Sequence, residues 1–261
     1  MTDREAERLM IFTKKLAVEA GAILKKRFNR RLDIKFKGRI DPVTEADLKS
    51  EKFITDHIIK KYPHHEILTE EGSAVGQKSP YRWIIDPLDG TVNYSHAFPV
   101  YCVSIALEYK GEIILGAVYD PQLDELFWAR KGAGAYLNRK KIHISDERVL
   151  KRALLATGFA YDIGTARRNN LGLFARMAKK AEGIRRLGSA ALDLCWLAAG
   201  RLDGFWELKL HPWDTAAAKI IVEEAGGKIT RFNGEKYSIF DKEILASNGK
   251  LHPALKKVLR G

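Results

Sequence analysis

Asp86 and Asp89 stand three positions apart directly after the apolar run Trp83-Ile84-Ile85, and Gly90-Thr91 follows at once. The run reads as a buried strand. Pro87 fixes φ and removes a donor, and Asp89-Gly90 is turn chemistry, so the strand is expected to break here into a turn. If Thr91-Val92-Asn93-Tyr94 opens a helix, the N–H groups of Gly90 and Thr91 lie at its N-terminus, where an anion is stabilised. Carboxylates for a cation then adjoin N–H donors for a phosphate, the combination used in metal-assisted phosphate hydrolysis. The D-x-x-D-G spacing by itself fits a plain turn equally well.

Two further acidic places stand out. Glu66–Gly72 reads as a short strand ending in Glu70-Glu71-Gly72, whose adjacent carboxylates point to opposite sides of an extended chain, so one of them faces any common site. Trp213-Asp214-Thr215-Ala216-Ala217 places Asp214 at the N-cap of a helix of small residues running to Ala225, a position that capping alone explains. His211, just before it, reads as a satisfied core histidine.

The elements that must position these groups follow from periodicity. Residues 4–28 carry Leu9, Phe12, Leu16, Ala20, Ile23 and Leu24 at helical spacing, and Gly21 among them points to close helix packing. Residues 32–37 alternate like a short strand, where Lys35 and Lys37 guard an exposed edge or else reach a phosphate. Thr44 and Asp47 form a capping box opening a helix over 44–61, with Leu48, Phe53, Ile54, Ile58 and Ile59 on its apolar face. Residues 72–79 read as a surface loop. Tyr101–Tyr109, the turn Lys110-Gly111, Glu112–Tyr119, the turn at 120–124, Glu125–Arg130 and one strand after Gly134 make an antiparallel meander, which excludes a simple doubly wound sheet.

Beyond residue 140 strands and helices alternate: strand Leu154–Thr157, helix 165–181, strand Ile184–Leu187, and a buried helix capped by Ser189 and running through Ala199. Strand Leu202–Leu208, the Asp214 helix, Gly226-Gly227, strand Lys228–Thr230, strand Ile244–Ser247 and a helix near 251–259 complete the pattern. The expected class is α+β, a layered α/β sandwich: N-terminal helices on an antiparallel meander (1–140), then an alternating α/β half (141–261).

Composition narrows the classes. The 261 residues are 46% hydrophobic and 30% charged, with no apolar run near the ~20 residues of a membrane span and a charged N-terminus, so a cytoplasmic protein is expected. Cys102 and Cys195 sit in apolar runs and read as buried thiols. The net charge of +12 is spread along the chain in short clusters. A solvated surface accounts for it; binding to nucleic acid is open, and no motif supports it.

The wider pattern resembles the inositol monophosphatase family of Mg-dependent, lithium-sensitive phosphatases. The residues that carry the resemblance are D-P-L-D-G-T after W-I-I (83–91), D-x-V-T-x-A-D (41–47), E-E (70–71), G-A-V-Y-D-P (116–121), G-S-A-A (188–191) and W-D-x-A-A (213–217), in the family's order. The resemblance implies that Glu70, Asp86, the Leu88 carbonyl, Asp89 and Asp214 bind two or three Mg²⁺ ions, for which Mn²⁺ can substitute. One ion would carry the attacking water and another stabilise the leaving oxygen. It also implies that Asp47 hydrogen-bonds Thr91 and, with Glu70, helps activate that water. Asp89, Gly90, Thr91, Ala190, Glu207 and Asp214 would bind substrate, and His211 has no catalytic role. The implied substrates are inositol 1-phosphate and related polyol phosphates, with fructose 1,6-bisphosphate or 3′-phosphoadenosine 5′-phosphate as alternatives, in a homodimer. A different-class alternative is an RNA or transcription-complex interaction protein on the same fold. Residues 162–168, Asp-Ile-Gly-Thr-Ala-Arg-Arg, lie where family members differ.

Overall fold

Thr2 opens the first helix, α1 (Asp3–Arg27), by accepting from the Glu5 N–H at 3.2 Å. Asp3 and Glu5 in its first turn and Lys25, Lys26 and Arg27 in its last complement the helix dipole. The structure is a computed structural model that describes residues 2–28, 34–36, 42–72 and 79–260, with backbone alone for 34–36 and 42–44. Lys37, Gly38, Asp41 and residues 73–78 of the expected loop lie outside the described residues.

A two-stranded ribbon, β1 (Ile34–Phe36) against β2 (Pro42–Thr44), leads into α2 (Glu45–Lys61). Next come β3 (Glu66–Thr69), β4 (Tyr81–Asp89), the short helix α3 (Thr91–Ser95) and strands β5 (Cys102–Tyr109), β6 (Glu112–Asp120), β7 (Glu125–Arg130), β8 (Gly134–Leu137) and β9 (Lys140–Ile142). β3 pairs in parallel with β4, and β4 to β9 form the antiparallel meander of one seven-stranded sheet.

The chain then changes sheets. β10 (Leu154–Thr157), α4 (Leu171–Ala178), β11 (Gly183–Arg185), α5 (Ala190–Ala198), β12 (Gly204–Leu208), α6 (Pro212–Glu224), β13 (Lys228–Thr230), β14 (Glu243–Ser247) and α7 (His252–Arg260) follow. Their five-stranded sheet has the order β11-β10-β12-β14-β13, with β14 antiparallel to both of its neighbours.

Five layers result, and strand alternation builds them. Trp83, Ile85, Val103, Ile105, Leu107, Leu115 and Ala117 face α1 and α2, where they meet Leu16, Leu24, Ile54 and Ile58. Their neighbours Ile84, Cys102, Ala106 and Val118 face the opposite way, onto α5 and α6. The second sheet covers those helices with Phe205, Ile244 and Ala246, and turns Trp206, Leu208 and Leu245 outward toward α4 and α7. Lying between two sheets, α5 has all nine of its residues buried, as its all-round apolar pattern predicted.

Three expectations need correction. The helix expected over 165–181 begins only at Leu171, because Thr165 and Ala166 N–H both turn back to the Asp162 carbonyl (3.0 and 2.9 Å) and buried Asn170 bonds Gly158 O and Trp206 Nε1 instead. Gly21 packs closely against the Tyr119 ring of β6, not a helix; an added Cβ would lie 2.4 Å from it. α2 exposes Leu48 and Ile59 and buries Asp47, Ser50, Glu51, Ile54 and Ile58. β9 is a strand beyond those expected, since its three residues, Lys140-Lys141-Ile142, carry no alternating pattern.

The seven-stranded sheet and α6 meet at a close backbone contact. Gly116 on β6 lies under α6, and a Cβ there would stand 2.7 Å from both the Cα and the carbonyl oxygen of Ala217. Backbone cannot swing aside as a side-chain tip does. Gly116→Ala is therefore expected to cost about 1–3 kcal/mol, read as a lower denaturant midpoint with an unchanged m-value. An unshifted midpoint would show that α6 rides up freely.

Candidate active site

In a regular strand, residues three apart face opposite sides, so Asp86 and Asp89 would point to different layers. β4 avoids this with an extra residue. Its partner β5 pairs Asp86 with Ser104 and Asp89 with Cys102, so three steps on β4 match two on β5. Paired residues share a face, so this bulge turns both carboxylates to the inner layer, while Leu88 packs among the α1/α2 core residues. The expected break at Pro87 is thus corrected: the strand runs through to Asp89, because a bulge is where a sheet tolerates proline.

Gly90 follows with φ 93° and leads into α3. Its Cβ would lie 2.8 Å from the Val100 carbonyl, so both conformation and space call for glycine. Thr91 Oγ1 donates toward Asp47 Oδ1 at 3.2 Å and the Leu88 carbonyl at 3.0 Å, which realises the expected Asp47–Thr91 contact. The same buried face of α2 braces the neighbouring turns. Ser50 Oγ donates to the Pro87 carbonyl (2.8 Å), and Glu51 accepts from Thr69 Oγ1 and from Glu71 N–H (3.1 Å). Parallel pairing of β3 and β4 then delivers Glu70 beside Asp86, with its N–H on the Ile85 carbonyl at 3.3 Å. Of the two glutamates, Glu70 lines the pocket and Glu71 does not.

The second half of the chain closes the site from the other side. Ser189 caps α5, as expected, but its hydroxyl also donates to Asp89 Oδ2 at 2.6 Å, and Ala191 N–H donates to the same oxygen at 2.8 Å. Asp89 is thus seated on the N-terminus of a buried helix. Asp214 is not the N-cap of α6. The helix starts at Pro212, with His211 at the cap, and Asp214 reaches back one turn to accept from His211 N–H at 2.7 Å. Pro at the first position moved the start upstream. The His211 ring is not in the core either: it is 55% exposed and lies flat on Trp213, with centroids 5.0 Å apart.

Glu70, Asp86, Leu88, Asp89, Gly90, Thr91, Ala190, Glu207 and Asp214 line one pocket of about 750 Å³; Asp47 stands behind Thr91. Burial, reinforced by the charges of Glu70, Asp89 and Asp214, pushes the Asp86 carboxyl well above its usual range. Burial and the charge of Asp89 do the same to Asp214. Asp89 is raised by burial too, against the pull of its Ser189 and Ala191 donors. Glu207 is pushed up to about 8 by burial and by Asp89, with Arg186 opposing. No three His, Cys, Asp or Glu side chains among the described residues form a ready ion cage. The acids instead spread over the pocket wall, an oxygen-only donor set whose mutual repulsion a hard divalent cation would relieve.

Several pocket residues carried no local signal in the sequence: Arg186, Lys209 and Lys242 come from separate turns. Asp193 did carry one, as the lone acid inside α5. It lines the pocket, nearly fully buried, and its Oδ1 has no hydrogen-bond partner. Both cysteines are free and buried, as expected.

The sequence model of the Inositol monophosphatase family matches residues 5–260. The inositol-1-monophosphatase of Synechocystis sp. is 44% identical over 242 residues, covering 92% of this chain and 84% of that protein. A fructose-1,6-bisphosphatase/inositol-1-monophosphatase of Aquifex aeolicus is 40% identical over 250 residues, covering 94% and 92%. The crystal structure of extragenic suppressor protein suhB from Bartonella henselae is similar over 97% of this chain and 98% of that one, with a TM-score of 0.92 at 39% identity.

Proposed function

The chain belongs to the inositol monophosphatase family, a family of metal-dependent phosphatases, and from that premise we propose that it hydrolyses inositol 1-phosphate and related polyol phosphates by direct attack of water. The observation that carries this reading is the β4 bulge, which turns Asp86 and Asp89 to the face where α6 presents Asp214. Two or three Mg²⁺ ions, or Mn²⁺ in their place, held by Glu70, Asp86, the Leu88 carbonyl, Asp89 and Asp214, would neutralise phosphate charge and acidify the attacking water.

The chain's own groups do the rest. Gly90 and Thr91 N–H groups at the start of α3 orient the phosphate oxygens. Thr91 Oγ1, its proton directed to Asp47 and the Leu88 carbonyl, offers lone pairs that align the water. Glu70, on the same wall, accepts the proton the water loses. Glu207 and the Ala190 backbone bind hydroxyls of the leaving polyol, and the buried donors on Asp89 keep its carboxylate from turning as charge moves.

Phosphate release from inositol 1-phosphate, fructose 1,6-bisphosphate and 3′-phosphoadenosine 5′-phosphate tests this, each with Mg²⁺, with EDTA, and with Mg²⁺ plus Li⁺. Turnover of inositol 1-phosphate is expected to fall at least a hundredfold in EDTA, to return with Mg²⁺, and to be inhibited by Li⁺. Metal-replete, folded protein that turns over none of the three would sink the reading. The net charge of +12 favours, as a second reading, a role in RNA or transcription complexes. No helix among the described residues is long and apolar enough to cross a membrane. We further propose a cytoplasmic homodimer, by family likeness alone.

A further inference from the structure

A helix packed on a sheet ordinarily turns its apolar side inward, and α2 departs from this. It buries Glu51 to 4% exposure while Leu48, three positions earlier, stays 48% exposed. Burying a carboxylate costs free energy unless donors meet it, so its partners show what it is for. One oxygen of Glu51, Oε2, accepts from the Thr69 hydroxyl and from the Glu71 N–H at 3.1 Å. Those two residues flank Glu70. A single carboxylate oxygen therefore grips the chain immediately before and immediately after one of the pocket acids. Ser50, next to Glu51, treats the facing turn alike: its hydroxyl holds the carbonyl of Pro87, which stands between Asp86 and Leu88.

Satisfying one N–H does not call for a buried acid. Glu71 is only half-buried, and its N–H already has the Thr69 hydroxyl at 3.3 Å. Glu70, by contrast, lies past the end of β3, and its N–H meets the Ile85 carbonyl only at 3.3 Å. The regular pairing of the sheet thus stops one residue short of the side chain that has to be placed. An anionic oxygen accepts more strongly than a neutral one, which suits it to fix a turn that the sheet leaves loosely held.

We propose that Glu51 is a positioning residue, which sets the cation affinity of the active site by fixing Glu70 from behind. Glu51 does not itself line the pocket. Its role rests on the reading of Glu70 as a cation ligand.

The test is calorimetric titration of the metal-free full chain with Mn²⁺ alone, in wild type, Glu51→Ala, Glu51→Gln and Thr69→Val, with a thermal melt of each. Glu51→Ala is expected to weaken Mn²⁺ binding about ten- to a hundredfold, the usual effect of removing a group that orients a ligand. Thr69→Val keeps the side-chain shape and removes one of the two grips, so about fivefold weaker binding is expected, the worth of one hydrogen bond. Glu51→Gln offers an amide oxygen to the same two donors and should bind Mn²⁺ within about twofold of wild type. A merely structural acid would lower the melt of Glu51→Ala and leave the affinity of the folded protein alone. Folded Glu51→Ala that binds Mn²⁺ like wild type overturns the proposal. So does Glu51→Gln as weak as Glu51→Ala, because charge and not the grip would then set the affinity. If Glu51→Ala does not fold, Thr69→Val decides: weaker binding supports the proposal, and equal binding overturns it. Wild type that binds no Mn²⁺ overturns the cation-ligand reading of Glu70 along with this one, whereas equal affinities in a binding wild type and its variants overturn the Glu51 role alone.

Discussion

Asp89→Asn is expected to lower turnover of inositol 1-phosphate by roughly three orders of magnitude while the protein stays folded. One carboxylate oxygen accepts its two short bonds from Ser189 Oγ at 2.6 Å and Ala191 N–H at 2.8 Å, with the Cys102 thiol farther off at 3.9 Å. An asparagine carbonyl can keep both bonds, so the junction between β4 and α5 survives. What is lost is the charge, and with it a ligand for the cations and part of the field around the leaving oxygen. Removing one of several buried like charges also relieves repulsion with Asp86 and Asp214, so no loss of stability is expected. Phosphate release beside a thermal melt checks both halves of the statement. Near-wild-type activity would take Asp89 out of the chemistry.

Glu207→Gln is expected to act in opposite directions on stability and on substrate. Glu207 is buried on β12, and its carboxyl is raised from 4.5 to about 8. A carboxyl raised on folding binds its proton more tightly in the native state. Its contribution is therefore complete below about pH 4.5 and is lost as pH climbs toward 8, at about 1.4 kcal/mol per pH unit. In metal-free buffer wild type should thus lose stability between pH 5 and 8 by a few kcal/mol from this group. Glu207→Gln should flatten that slope and melt about 5–10 °C higher at pH 8. Above about pH 8, where the Glu207 carboxyl has lost its proton, the same change should raise KM for polyol phosphates several-fold, because an anionic acceptor of hydroxyl protons becomes a neutral amide. Parallel slopes for the two proteins would mean that Glu207 is ionised and solvated in the fold.

What the sequence disclosed divides along physical lines. Ser189 as a cap and the meander with its Lys110-Gly111 turn were legible from local signals, while the Thr91 hydroxyl on Asp47, 44 residues away, was legible only through the family likeness. Each depends on residues close in sequence or on a pattern the family shares. The bulge was not legible, because Pro87 after an apolar run signals a turn, and only pairing with β5 shows that the strand goes on. α2 was misphased for a related reason. Its exposed Leu48 and Ile59 outweighed Ser50 and Glu51, whose burial makes sense only once the Pro87 carbonyl and the Thr69 hydroxyl are opposite them. The basic residues of the pocket were invisible because Arg186, Lys209 and Lys242 share neither an element nor a spacing.

The insertion of α5 and α6 between the sheets has a bearing on how the chain is made. A ribosome delivers Glu70, Asp86 and Asp89 well before the donors on Asp89 and before Asp214. During that interval the meander has strands enough to pair, yet the face bearing Ile84, Cys102, Ala106 and Val118 has nothing to cover it. A half-synthesised chain would therefore display a broad, flat apolar sheet, the kind of surface that neighbouring nascent chains adhere to. Protection comes only when residues 190–224 have emerged and both helices slide home, and the acidic pocket is completed in the same event.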